Sequence, residues 1–196
     1  MKSIGVVVLL AQTPAIAAPP SGPLFSFREE PGPYAVGLRV VEQYDYSRVF
    51  QPAFDEFGRP YRGERARPLQ TLIWYPAQRT PAKPMAFGDY MSLSETETSF
   101  GDPKLLTSSG QWFIDGAKPA LHSVLWSVRD APQVSGRFPV IIYAPSFTSW
   151  AWENADLCEY LASEGYVVIA TPGMGVHRSS THDVVGITRK RRTFCS

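Results

Sequence analysis

The feature that most limits what this chain can fold into is a pair of apolar runs flanking a helical segment. In "FPVIIYAPSF" (residues 138–147), Val140, Ile141, Ile142 and Tyr143 run straight into a Pro-Ser turn. A continuous apolar run bounded by turn residues reads as a strand covered on both faces. "GYVVIATPG" (165–173) repeats the pattern. Between the two, Ala151, Ala155, Cys158, Leu161 and Ala162 recur at helical spacing. Ser149 is placed as the N-cap, Glu153 and Asp156 lie in or near the first turn where the helix dipole favours acids, and Gly165 fits the C′ position. Strand, helix and strand within about 30 residues form a βαβ unit, with parallel strands and a right-handed crossover. The fold class is therefore α/β.

Upstream, "YAVGLRVVEQYDY" (34–46) and "LQTLIWYPA" (69–77) carry strand composition, the second expected to stop at Pro76. A polar, Gly-containing loop joins them, so they are predicted to pair antiparallel. Residues 78–136 read as an irregular insertion wrapped on the core. Within it, "FGDYMSLSETET" and "PKLLTSSGQWFIDG" can each hold a short helix, and "ALHSVLWSVRDAP" ends at Pro132 before a Ser135-Gly136 turn. Asp89, Glu95, Glu97 and Asp102 in this region read as a solvated helix face rather than an acid/base pair.

The N-terminus, "MKSIGVVVLLAQTPAIAAPP", has a basic Lys2, an apolar run over residues 4–11 and the small-x-small site Ala15-Ile16-Ala17. Residues 1–17 are expected to be a signal peptide directing export to a periplasm or beyond. The apolar run is short of the roughly 20 residues needed to span a bilayer. Residues 18–33 form a Pro/Gly-rich connector, 34–187 one domain, and 188–196 a basic tail expected to be unstructured. At 196 residues and 44% hydrophobic, one cored domain is the natural size. A net charge of +1 gives no reason to expect nucleic acid or an anionic membrane as partner, and the four charges Arg189-Lys190-Arg191-Arg192 do not change that. Cys158 and Cys195 are expected as a buried inert thiol and a tail thiol rather than a disulfide. No Cys/His cluster has zinc-site spacing, so neither metal nor cofactor is expected.

"GRFPVIIYAPSF" followed by "NADLCEYLASEGYVVIATPGMG" resembles the N-terminal half of an α/β-hydrolase, in the branch of dienelactone-hydrolase-like and platelet-activating-factor-acetylhydrolase-like enzymes. Phe138-Pro139-Val140 and Leu161-Ala162-Ser163-Glu164-Gly165-Tyr166 carry the likeness, and "GPYAVGLRVV" with "RARPLQTLIWYPA" resembles the family's opening hairpin. The resemblance implies an incomplete α/β-hydrolase fold: an N-terminal antiparallel strand pair plus one βαβ unit, four strands in the family order 1-2-4-3-5. The strand at 140–143 would stand at an open edge and invite self-association. The family's oxyanion loop follows this strand, commonly as His-Gly. Here Ala144-Pro145-Ser146-Phe147 takes its place, and because Pro145 has no N–H, the candidate oxyanion donors are the backbone amides of Ser146 and Phe147. Trp150 and Trp152 either line an acyl pocket or cover the βαβ unit.

The family's nucleophile sits at a G-x-S-x-G elbow, with Asp and His further on. No serine of this chain has glycines at both −2 and +2. Ser179 and Ser180 lack an elbow, and His177, His182 and Asp183 read as a solvated loop, so no catalytic residue is assigned. The family pattern is lost after Ile187, which is read as the mark of a truncated or frame-shifted product. The expected function is that of a member or fragment of an exported serine ester or lactone hydrolase family, inactive alone, with a small ester or lactone as the substrate of an intact relative. The alternative is a non-enzymatic exported binding or scaffold protein using the 13% aromatic content.

Overall fold

A computed structural model describes residues 30–55, 57–97, 99–100, 117–146 and 149–172. The signal peptide, most of the connector, Asp102, the "PKLLTSSGQWFIDG" segment, Phe147, His177, Ser179, Ser180, His182, Asp183, Cys195 and the basic tail lie outside the described residues.

The elements are β1 (Ala35–Val49), β2 (Ala66–Ala77), α1 (Phe87–Thr96), a 3-10 turn (Lys118–Ala120), β3 (Ser127–Arg129), β4 (Val140–Tyr143), α2 (Ala155–Ser163) and β5 (Val167–Ala170). They build one mixed five-stranded sheet in the order β3-β1-β2-β5-β4. β1 and β2 pair antiparallel with Leu38 opposite Trp74 and Val40 opposite Leu72. β4 and β5 pair parallel, Val140 with Val167 through Tyr143 with Ala170. The α/β class, the antiparallel pair and the single βαβ unit all stand as read from the sequence.

The strand count does not. Four strands were expected, and β3 is a fifth, parallel to β1 through Val36–Ser127, Gly37–Val128 and Leu38–Arg129. Three residues are too short to show any period, so β3 exists by pairing rather than by pattern. Asp130 ends it at φ 51 with its N–H on Leu38 O at 2.8 Å. Pro76 does not end β2 either. It lies inside the strand opposite Val36, beyond the last pair with β5 (Trp74–Val168), where the missing N–H breaks no ladder on that side. Its carbonyl accepts the Val134 N–H at 3.0 Å.

One face of the sheet is the main core. Val36, Leu38, Leu72, Trp74, Val168 and Ala170 pack there against Tyr90, Met91 and Leu93 of α1 and Ala155, Cys158 and Ala162 of α2. On the other face Tyr75, Ala77 and Ala131 make a small second cluster. Gly37 permits it, because a Cβ there would meet the Tyr75 ring at 2.5 Å. Val140 and Ile142 also point to that face, and they are 58% and 74% exposed. The expectation that β4 is covered on both faces is corrected: α2 covers one, and no described element covers the other.

α2 starts later than expected. Its N-cap is Asn154, not Ser149. The residues before it form successive tight turns, Glu153 N–H to Trp150 O at 3.1 Å and Ala155 N–H to Trp152 O at 3.0 Å. Those turns let the Trp152 ring drop into the core while Glu153 turns back toward Ser146. The C-terminus is as expected: Gly165 sits at φ 98, with Tyr166 N–H on Leu161 O and Gly165 N–H on Ala162 O, both 3.1 Å. That double bond pattern is a Schellman motif, which favours glycine at C′. Cys158 is a fully buried free thiol, and burial pushes its pKa up to about 12, with Asp156 and Glu159 adding to the rise. Among the described residues, no helix is long and apolar enough to cross a membrane.

Candidate functional site at the carboxyl ends of the parallel strands

In open α/β sheets the crevice outside the carboxyl ends of the parallel strands is where ligands bind. Here that rim is made by the loop leaving β4, the residues leaving β5, and the start of β2, which runs antiparallel past them. Arg67 reaches across it, its Nη2 donating to Pro172 O at 3.4 Å.

The loop after β4 is organised by one carboxylate. The Ser146 N–H donates to Glu153 Oε1 at 2.7 Å, the Ser146 hydroxyl at 3.1 Å and the Tyr143 hydroxyl at 2.9 Å. Asn154 Nδ2 donates to the Tyr143 oxygen, fixing which way the phenol proton points. Burial alone would raise the Glu153 pKa. Hydrogen bonds from the Ser149 side chain, the Ser146 amide and hydroxyl, and Tyr143 outweigh that and hold it below the usual carboxylate range. The same Tyr143 phenol is pushed up, by burial first.

A second carboxylate grips the same loop from the other side. Glu97, at the C-cap of α1, is 4% exposed, and its Oε1 accepts the Ala151 N–H at 3.3 Å. Burial raises its pKa to about 7, against the Ala151 bond and the charge of Arg67. Glu97 is therefore not part of a solvated face, which corrects the sequence expectation. Asp89 is exposed, as expected, and works as a capping carboxylate, its Oδ2 accepting the Ala86 N–H at 2.7 Å.

Trp152 is buried between Phe87 and Tyr90, with Nε1 on Ser94 Oγ at 3.1 Å. Trp150 stacks on it at 5.3 Å and stays half-buried. Beneath them runs a buried chain: Trp74 Nε1 donates to Tyr90 Oη at 2.9 Å, Tyr90 donates to Glu159 Oε1 at 2.6 Å, and Glu159 Oε2 accepts the Trp126 N–H at 2.7 Å. Burial raises the Glu159 pKa despite those bonds. A separate groove of about 570 Å³, lined by residues including Glu42, Lys83, Met85, Asp89 and Arg129, contains none of the residues singled out beside β4.

Ser146 lies in the loop after β4, and the carboxylates around it are not foreseen from the sequence. Glu159 left a trace: with Ala155, Cys158 and Ala162 it shares one helical stripe, and a glutamate on an apolar stripe announces a buried partner. In sequence Glu153 reads only as a dipole-favoured acid, and Glu97 gives no sign of burial.

No protein-family model matches this chain, and no curated protein matches it. A solved structure similar to it is a ferulic acid esterase from Streptomyces cinnamoneus, at 20% identity and a TM-score of 0.49 over 78% of this chain. The chain spans 35% of the length of that esterase chain.

Proposed function

We propose that residues 34–187 form the N-terminal part of an exported serine ester or lactone hydrolase domain of the dienelactone-hydrolase-like kind, carrying the oxyanion loop but, within these 196 residues, no nucleophile. The observation that carries this reading is the strand order. An antiparallel β1–β2 pair is followed by a parallel β4–α2–β5 unit whose second strand inserts between β2 and β4. That matches the order the sequence resemblance implies, and it sets the Ser146 loop and the end of β5 on one rim. In the intact enzyme a serine from elsewhere attacks the acyl carbon, a histidine moves the proton, and an amide of the loop receives the developing oxyanion, an interaction worth about 3 kcal/mol.

Incubation with p-nitrophenyl acetate tests the reading. The 196-residue chain turns the ester over at the buffer rate, whereas a chain extended through the downstream reading frame gains hydrolysis that a single Ser→Ala substitution abolishes. Serine-dependent turnover by the 196 residues alone would refute the incomplete-site reading, and an inert extended chain would refute the hydrolase reading. Export has its own check: N-terminal sequencing of the periplasmic or secreted fraction gives Ala18 as first residue, and a retained Met1 removes the leader from the proposal.

A further inference from the structure

The donors beside the end of β4 already hold an anion, and the anion is the protein's own. Three donors meet one carboxylate oxygen: the Ser146 N–H, the Ser146 hydroxyl and the Tyr143 hydroxyl, at 2.7, 3.1 and 2.9 Å from Glu153 Oε1. A backbone N–H with two hydroxyls converging on one charged oxygen is the kind of set with which proteins hold a small oxyanion. The set is held in place, because Asn154 fixes the Tyr143 phenol and the Ser149 N–H closes the turn onto Ser146 O at 2.9 Å. Glu153 reaches it from seven residues along the same loop.

The geometry points to Glu153 as an internal plug: it occupies an anion cradle built from Ser146 and Tyr143, and its withdrawal opens those donors to a small external monocarboxylate or a developing oxyanion. A second anionic oxygen at the Ser146 amide would lie within about 4 Å of the Glu153 carboxylate, where like charges repel strongly, so the two occupants exclude each other. This rests on the reading of the loop as an oxyanion loop and deepens it. In the plugged state the Ser146 amide is spent on the protein itself, and access to it is gated by one side chain.

Sodium acetate titrated into the 196-residue chain tests the plug, with amide NMR of Ser146 as the readout and sodium chloride at equal ionic strength as the control. Glu153→Ala is expected to show a saturable, acetate-specific shift at Ser146, while the unsubstituted chain shows none over the same range. Equal acetate responses in the two proteins overturn the inference. So does the lack of any response in a Glu153→Ala chain whose Trp74 and Tyr90 signals are native. If Glu153→Ala does not fold, Glu153→Gln decides: it fills the same space without charge, and the Ser146 amide should exchange with solvent faster by about tenfold or more. An unchanged exchange rate overturns the plug. Ester turnover enters none of these measurements, so failure of the hydrolase reading and failure of the plug remain separable.

Discussion

Glu97 Oε1 accepts the Ala151 N–H at 3.3 Å, tying the end of α1 to the loop that leaves β4. The bond is long, and the side chain is almost entirely out of water. Burial of that carboxyl outweighs both the Ala151 hydrogen bond and the Arg67 charge, which offset only part of the desolvation cost. The protein therefore keeps Glu97 protonated to an unusually high pH.

The consequence for stability has a definite sign. Unfolded, the side chain releases its proton near 4.5; folded, it holds on until about 7. Between those values the folded state binds more protons, so stability falls as pH rises, and the loss is complete above about pH 7. At about 1.4 kcal/mol per pH unit, the full loss is about 3 kcal/mol. Glu97→Gln retains an acceptor for Ala151 and cannot ionise. Urea unfolding should show it more stable than the parent chain at pH 8 by up to that amount, with the gap shrinking toward zero at pH 4. An equal gap at both pH values would show that ionisation of Glu97 is not the cause.

Tyr90 links the Trp74 indole to Glu159 in the buried chain, accepting from one and donating to the other. Tyr90→Phe keeps the ring stacked on Trp74 and removes both bonds. Leaving a buried indole N–H and a carboxylate oxygen short of partners costs about 2–4 kcal/mol. Chemical denaturation monitored by tryptophan fluorescence reads this directly, and a change below about 0.5 kcal/mol would show that water enters and replaces the phenol.

How much of this was legible in sequence depended on whether residues act through the chain's own period. The βαβ unit could be read because Val140–Tyr143 and Val167–Ala170 are uninterrupted apolar runs and Gly165 marks the helix end. β3 could not, since three residues carry no period and its strand character comes from β1. In the loop beside β4, Ser146 follows its strand locally, whereas the groups that hold its surroundings come from Glu153 across several turns and Glu97 from a different helix. Side chains recruited over such distances leave a trace only when they break a pattern, as Glu159 does on the apolar stripe of α2.

Gly165 carries a requirement that can be tested alone. Its φ of 98 lies in the left-handed region, and a Cβ would also press on the Tyr34 ring at 3.2 Å. Gly165→Ala should cost about 1–2 kcal/mol from backbone conformation alone, with any ring displacement adding to it. Thermal unfolding against the parent chain measures the loss. A neutral substitution would mean that the turn into β5 relaxes to another geometry.

The remaining prediction concerns the open side of β4. Val140 and Ile142 present apolar side chains to solvent at the outer strand of the sheet, and the strand carries no charge to discourage pairing with another copy. Pro139 and Pro145 confine any such pairing to a few residues, because neither can donate to a new ladder. Ile142→Lys places a charge on the exposed face without touching the α2-covered core, so the stability of the monomer should change by no more than about 0.5 kcal/mol. Association, followed by sedimentation velocity across a concentration series, should fall sharply in the variant and persist in the parent chain. Identical sedimentation of the two proteins at every concentration would mean that this edge does not drive contacts between copies.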